Sequence, residues 1–569
     1  MDNYESLSAR APLRFWGWGY SDEHLSAEED SLIEALVAML VPAGAAEVAP
    51  PAIAEFDLPA PRRDVPERLK HLVSTLPYDR LVHSYGKSYG DIVRMFLREV
   101  KNPPDWVAFP QSEQDISELI AYAEEHNIAV IPFGGGTSVC GGVEADVGTG
   151  YAATLCIDLQ NLNRVLEIDT VSRAARVEGG IFGPDLEREL KQHGYTLRHF
   201  PQSFRFSTLG GWIATRAGGH FASVYTHIDD FVESTRLLTP RGVMESRRLP
   251  GSGAGPSNDR LVMGSEGILG VVTQAWVRLQ DLPKWRASVS VSFNSLQDGT
   301  QAVRAISQSG LFPSNCRLLD ETEVQWNGLA SKPCALLVLG FESADHPVNA
   351  WMERALEIAS NHGGSYGEVS FSYRDDAKTP REDEDSTADS WRNAFIRMPY
   401  YRNRLAAFGI IADTFETAIT WDGFDAFYQG VKAGMERAIK DTTGIEGIVS
   451  CRFTHIYPDG PAPYFTFFAV GDSNGDLRAA LEKWRQLKRT ANKLVVSLGG
   501  TVTHHHAVGR DHRSGYEEQT SDLYRQTLAA AKSTLDPAGI FNPGVLIDPI
   551  DRPIGITGVL SLASEPRDN

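Results

Sequence analysis

The chain has 569 residues, well past the length at which one hydrophobic core stops growing, so several domains or a domain with a large cap are expected. Hydrophobic residues make up 42% and charged residues 22%, the balance of an ordinary globular protein rather than a disordered or fibrous one. Asp plus Glu outnumber Lys plus Arg by 74 to 54, and the net charge of −20 excludes nucleic acid as the main partner and demands a local arginine pocket for any anionic substrate.

The five cysteines are far apart and form no CxxC pair, which fits a reducing compartment and argues against both a disulfide framework and a thiolate zinc site. The first residues, Met1-Asp-Asn-Tyr-Glu-Ser6, carry neither a basic n-region nor an apolar h-region, and no apolar run is long enough to span a bilayer. The last, Pro566-Arg-Asp-Asn569, are not a Ser-Lys-Leu address, so a soluble cytoplasmic protein is expected.

In chain order, Val41–Pro66 is crowded with Pro and Ala, shows no period, and reads as a linker behind an N-terminal arm. Ile116, Leu119, Ile120 and Ala123 follow helical spacing, and Ala129–Pro132 reads as a buried strand that runs into glycines. Further strands are predicted at Thr154–Leu159, Arg164–Ile168, Ala174–Val177 and Gly270–Leu279, around a Gly-rich middle at 203–220. Beyond Pro283, Ser288–Phe293 and Ala335–Glu342 read as strands, each followed by a helical stretch, Leu296–Ser309 and Val348–Asn361. The acidic run Arg374–Asp389 reads as a solvated loop. A helical segment from Ala406–Ile410 onward, strands at Ile448–Tyr457 and Tyr464–Val470, a helix at Leu477–Ser497 and a His-rich turn complete an α+β pattern.

Pro132-Phe133-Gly134-Gly135-Gly136-Thr137-Ser138 follows a strand, and its glycines would let the backbone approach a pyrophosphate closely; its spacing is neither GxGxxG nor Walker. Three more segments stand in order behind it: Gln202-Ser203-Phe204-Arg205-Phe206-Ser207-Thr208, then Gly210–Gly219 with Thr215, Arg216, Ala217 and Gly218, then Gly264–Val272 with Glu266, Gly267, Ile268, Leu269, Gly270, Val271 and Val272. Ser207, Thr208 and Thr215 offer hydroxyls to a phosphate or to a flavin's polar edge, while a buried Glu266 needs a backbone nest or cofactor hydroxyls as partner. Together these segments resemble the flavin half of the vanillyl-alcohol-oxidase flavoproteins, which implies an FAD-binding PCMH-type domain of two subdomains. No His or Cys in them marks a covalent link, so the implied FAD is noncovalent.

The likeness continues through Phe15-Trp-Gly-Trp-Gly-Tyr20, Cys316-Arg-Leu-Leu-Asp320, Pro399-Tyr-Tyr-Arg-Asn403, Asp413-Thr-Phe-Glu-Thr417, Cys451-Arg-Phe-Thr-His-Ile-Tyr457 and Gly499-Gly-Thr-Val-Thr-His-His-His506. In this order the segments resemble the alkyldihydroxyacetonephosphate synthase family, with departures at Gln202, Ile268, Asn403, Gly423 and Ala507. The resemblance implies an N-terminal arm and linker over 1–66, the FAD domain over 67–282, and an α+β cap with an antiparallel sheet and flanking helices over 283–510. Residues 511–569 would then return to the FAD domain.

The same resemblance implies that Tyr464 is the acid/base at the substrate's C1, with His504, His505, His506 and Arg317 beside it and Arg402 on the substrate phosphate. On its own, the Tyr-Phe-Thr-Phe-Phe strand would read as core, and the three histidines as an exposed turn or an incomplete metal shell, so no metal is expected. The implied reaction joins acyl-dihydroxyacetone phosphate and a fatty alcohol through a flavin N5 adduct with no net redox, in a homodimer with peripheral membrane contact. The alternative is an FAD-linked 2-hydroxy-acid dehydrogenase or oxidase on the same scaffold.

Overall fold

Three large β-sheets, with a two-stranded pair of Tyr195–Thr196 and Gln280–Asp281 beside them, organise the computed structural model, which describes residues 11–41, 47–221, 223, 225–374, 387–472 and 475–561. The acidic run at 375–386 lies outside the described residues, and Thr387–Asp389 at its end already belong to a helix.

The first sheet has four strands in the order Val73–Ser74, Trp106–Ala108, Ala153–Asp158, Ile128–Phe133, with parallel pairing on both sides of Ala153–Asp158. Its inner strands are almost wholly buried apolar runs, as expected where both faces of a parallel sheet are covered. The helix Glu113–Glu125 packs Ile116, Leu119, Ile120 and Ala123 against it, the face that the periodicity predicts. The second sheet is antiparallel, in the order Val165–Asp169, Ala174–Glu178, Val271–Arg278, Val232–Thr239, Gly242–Glu245.

The third sheet has eight strands, all antiparallel, drawn from residues 285–470. Its centre runs Trp285–Phe293, Ala335–Ser343, Asn315–Leu319, Ile448–Ile456, Pro461–Val470, Ile410–Glu416. Helices Leu296–Gln308, Asn349–Asn361, Trp421–Thr443 and Leu477–Ser497 contribute to the core that covers it. Phe424, Tyr428 and Val431, one helical turn apart, meet Cys451, Phe453 and Phe465 in that core.

Two predicted elements come out differently. The helix expected onward from Ala406 ends at Ala407; Gly409 turns the chain at φ +71°, and the strand Ile410–Glu416 follows. The N-terminal arm contains the helix Ala27–Leu40, opened by a capping box of Ser26 and Glu29. Its Ile33 and Leu36 pack with Leu405, Ala412 and Phe468. The Ser-x-x-Glu spacing ahead of Leu32, Ile33 and Leu36 was the available signal.

Candidate active site

A cavity lies where the three sheets converge, lined by the glycine loop, the 202–219 segment, Glu266 and Gly267 on one side and by the eight-stranded sheet on the other. The strand Ile128–Phe133 delivers the loop, which seats against residues 206–208 with no room for side chains. A Cβ on Gly134 would lie 2.2 Å from Thr208 Oγ1, and one on Gly135 1.5 Å from the Phe206 carbonyl oxygen. A channel wall made of bare main chain is what close approach to a dinucleotide requires, so the residues present fit FAD.

The hydroxyls serve differently from the expectation. Ser207 Oγ donates to the Ser203 carbonyl at 2.9 Å and Thr215 Oγ1 to the Gly211 carbonyl at 2.8 Å, while Thr208 caps the helix Leu209–Thr215. They shape the wall, and what they keep for a ligand is lone pairs. Glu266 finds a backbone nest: its carboxylate accepts from the N–H groups of Val508 at 2.9 Å and Gly509 at 2.7 Å. Burial outweighs these bonds and pushes the carboxyl up to about 7.

Of the predicted flavin residues, the side chains of Phe204, Arg205, Phe206, Arg216, Ile268, Leu269 and Val271 do not line the cavity. Phe204 stacks near Trp212, Phe206 packs on Tyr20, Arg205 donates to Tyr400 Oη at 2.6 Å, and Arg216 pairs with Asp229. Ile268, Leu269 and Val271 are fully buried core.

The predicted chemical residues converge on the cavity with the exception of His504, which is not part of its lining. Tyr464, Arg317, Arg402, His505 and His506 all line the cavity, opposite the glycine loop. Tyr464 stands in register between Glu416 on one neighbouring strand and Arg452 on the other. Its hydroxyl donates to Thr414 Oγ1 at 3.0 Å, and the Arg452 guanidinium lies 4.3 Å from its ring centroid. Burial raises the phenol above its ordinary value although Arg452, Thr414 and Arg402 pull it down. Arg317 is lowered to about 9 by burial and by Arg452. Arg402 faces Asp413 at 3.6 Å.

Glu416, unmarked as a site residue in the sequence, organises the histidine triplet. Its buried carboxylate accepts from the backbone N–H groups of His504 at 2.6 Å, His505 at 3.1 Å and His506 at 2.8 Å, and from Thr503 Oγ1 at 2.6 Å. The triplet is thus a turn wrapped on one anion. Burial works to raise Glu416, yet the three histidines and Thr503 hold it well below the usual range. The imidazoles go the other way: burial depresses His504 and His505 and takes His506 down to about 3, so the rings are neutral at neutral pH.

Two more histidines join them. His455 follows a register shift in its strand, a bulge of the kind that re-aims a side chain, and shares an approach of 4.8 Å or less between ring nitrogens with His504 and His505. Its ring nitrogens are engaged by the Gly219 carbonyl at 2.8 Å and Thr454 Oγ1 at 3.1 Å. His227 Nε2 lies 3.1 Å from His504 Nε2. Trp18 also reaches the cavity, fixed by Asn403, which accepts from the Trp18 N–H at 3.0 Å and donates to its carbonyl at 2.8 Å. The lining also includes Leu36, Trp326, Leu405 and Phe468, apolar side chains that cluster together.

Residues 104–246 match the model of an FAD binding domain, and residues 282–546 that of the C-terminal domain of FAD linked oxidases. An alkyldihydroxyacetonephosphate synthase of Dictyostelium discoideum is 29% identical over 497 residues, 83% of this chain and 78% of the relative. A mitochondrial cytochrome-linked D-lactate dehydrogenase of Arabidopsis thaliana is 28% identical over 86% of this chain and 81% of its own. A solved structure titled as an alkyldihydroxyacetonephosphate synthase superposes with a TM-score of 0.77 at 24% identity, covering 93% of this chain and 98% of that one.

Proposed function

Because the chain belongs to the FAD-linked oxidase flavoproteins and is homologous to the alkyldihydroxyacetonephosphate synthases, we propose that it exchanges the acyl chain of acyl-dihydroxyacetone phosphate for a fatty alcohol, with no net redox. The observation that supports this reading is a single cavity whose lining combines Tyr464, Arg402, Arg317 and neutral histidines with the glycine wall and the apolar side chains Leu36, Trp326, Leu405 and Phe468. FAD, when bound, supplies an electron sink beside the reacting carbon.

The chain's own groups divide the remaining work. Arg402 suits the substrate phosphate, which a planar guanidinium can grip through two N–H bonds. Leu36, Trp326, Leu405 and Phe468 take the acyl or alkyl chain and exclude water. Tyr464 moves the proton at C1, with Arg452 and Arg402 opposing the burial that favours its neutral form. His505 and His506, uncharged, orient the substrate without competing with the arginines for its phosphate. The working form in this reading is a homodimer that meets its lipids at a membrane surface; among the described residues no helix is long and apolar enough to cross one.

The test incubates FAD-loaded protein with palmitoyl-dihydroxyacetone phosphate and labelled hexadecanol and asks whether label enters an ether. No ether, together with bleaching of the flavin by D-lactate or D-2-hydroxyglutarate, would replace this reading with a 2-hydroxy-acid dehydrogenase or oxidase.

A further inference from the structure

The histidines do not end at the cavity. His505 lines it, and His505 Nδ1 lies 3.0 Å from His504 Nδ1. His504 Nε2 in turn lies 3.1 Å from Nε2 of His227, which is half-buried and, like His504, is not part of the cavity lining. We propose that His505, His504 and His227 form a proton wire that connects the reacting carbon's surroundings with solvent.

The tautomers follow from the ends. His227 Nδ1 lies 3.0 Å from the Arg216 carbonyl, which can only accept, so this nitrogen carries the proton and Nε2 of the neutral ring offers a lone pair. His504 must then be protonated on Nε2, which leaves its Nδ1 to accept from His505 Nδ1–H. Every contact in the row holds one proton between two nitrogens, the arrangement along which a proton can step. Tyr457 Oη, 2.8 Å from His504 Nε2, shares that N–H and lies 3.2 Å from Thr226 Oγ1. Glu416 fixes the near end by holding the backbone N–H groups of both His504 and His505.

A proton received by His505 on its second nitrogen releases Nδ1–H to His504, which releases Nε2–H to His227 Nε2, and His227 then gives its Nδ1–H, on the exposed edge beside the Arg216 carbonyl, to water. No other bond changes, and no electrons are transferred. When the reaction returns a proton to carbon, the row runs backward and restores the starting tautomers; that returning proton can come from solvent. Burial supports the scheme, because it keeps His504 and His505 uncharged between transfers.

The wire rests on the ether-forming reading above, and its test separates the two. FAD-loaded protein is mixed with palmitoyl-dihydroxyacetone phosphate in D2O without alcohol, and deuterium at C1 is followed by mass spectrometry. The wire predicts that His227→Ala slows incorporation by about tenfold or more, keeps its flavin and substrate KM, and recovers with added imidazole. Incorporation at the wild-type rate in a folded, flavin-loaded His227→Ala protein would overturn it, as would slow incorporation that imidazole fails to restore. A wild-type protein that neither incorporates deuterium nor makes ether would refute the ether-forming reading. The wire is then decided by nitrogen-15 signals of labelled histidines: protonation of His504 on Nε2 and His505 on Nδ1 supports it, and the opposite tautomer at His504 overturns it.

Discussion

Tyr464, Glu416 and Asp511 are each buried, and each answers burial in its own way. Tyr464 keeps its proton and has cations beside it. Replacement by Phe removes the hydroxyl and little else, so ether formation should fall by roughly a hundredfold or more while bound flavin and melting temperature stay near wild type; an unchanged rate would exclude the phenol from proton transfer. Glu416 stays ionised because N–H donors and the Thr503 hydroxyl surround it. Glu416→Ala strands those donors, a loss on the order of 3 kcal/mol or more, and should lower both stability and activity. Asp511 takes the third course: neither carboxylate oxygen has a hydrogen-bond partner among the described residues, and burial, with Asp91 and Glu144 nearby, pushes its carboxyl up to about 8. Because its folded pKa exceeds the unfolded value of 3.8, the folded chain holds an extra proton between the two. Its contribution to stability is therefore complete below about pH 4 and is lost as pH rises through about 8. Asp511→Asn keeps the shape and abolishes that loss, so melting curves should show the variant gaining on wild type across this window and level thereafter. Parallel curves would mean that Asp511 titrates normally.

At the scale of elements, the glycine loop makes the sharpest prediction. A Cβ on Gly135 would overlap the Phe206 carbonyl, which is backbone and cannot move aside as a side-chain tip can. Gly135→Ala should give protein that purifies without yellow colour and refuses added FAD, whereas Gly150→Ala, where a Cβ meets nothing within 4 Å, should bind it normally. This loop was legible in the sequence because its glycines follow a buried strand, and half of the strands from 153 to 470 were legible for the same reason, as apolar runs bounded by turn residues, whereas Val232–Thr239, Asn315–Leu319 and Ile410–Glu416 were not. What stayed hidden depended on distant partners. Glu416 sits in a strand as an ordinary polar residue until the fold carries residues 503–506 over it. His227 and His455 belong to different sheets' surroundings and acquire meaning only beside His504. The helix Ala27–Leu40 was obscured by the Pro- and Ala-rich stretch behind it, although its capping box was present.

Across the whole molecule, the flavin wall meets the eight-stranded sheet directly at the cavity and is backed from behind by the C-terminal segment. Arg317 donates to the His220 carbonyl at 3.0 Å and His455 Nε2 meets the Gly219 carbonyl at 2.8 Å, bridging the sheets at the cavity. From the far end, Asn542 N–H donates to the Val130 carbonyl at 2.8 Å, so the C-terminal segment extends the sheet that delivers the glycine loop. Lys532 locks this return. Its buried ammonium donates to the carbonyls of Ile268 and Phe541 at 2.8 Å each and pairs with Asp536 at 2.9 Å, while Asp536 accepts from the N–H groups of Ile540 and Phe541. Lys532→Met preserves bulk but leaves Asp536 an unpaired buried charge, a loss of about 3–5 kcal/mol by the usual behaviour of broken buried pairs. Because Ile268 sits in the Glu266–Val272 stretch of the wall, the damage should reach the cofactor: flavin fluorescence should rise, reporting release, at a lower temperature than the loss of far-ultraviolet circular dichroism. Replacing both partners, as in Lys532→Met with Asp536→Leu, removes the unpaired charge but not the N–H groups of Ile540 and Phe541, so it should recover part of the stability. Coincident fluorescence and dichroism transitions in Lys532→Met, at the wild-type temperature, would show that the C-terminal return does not support the flavin wall.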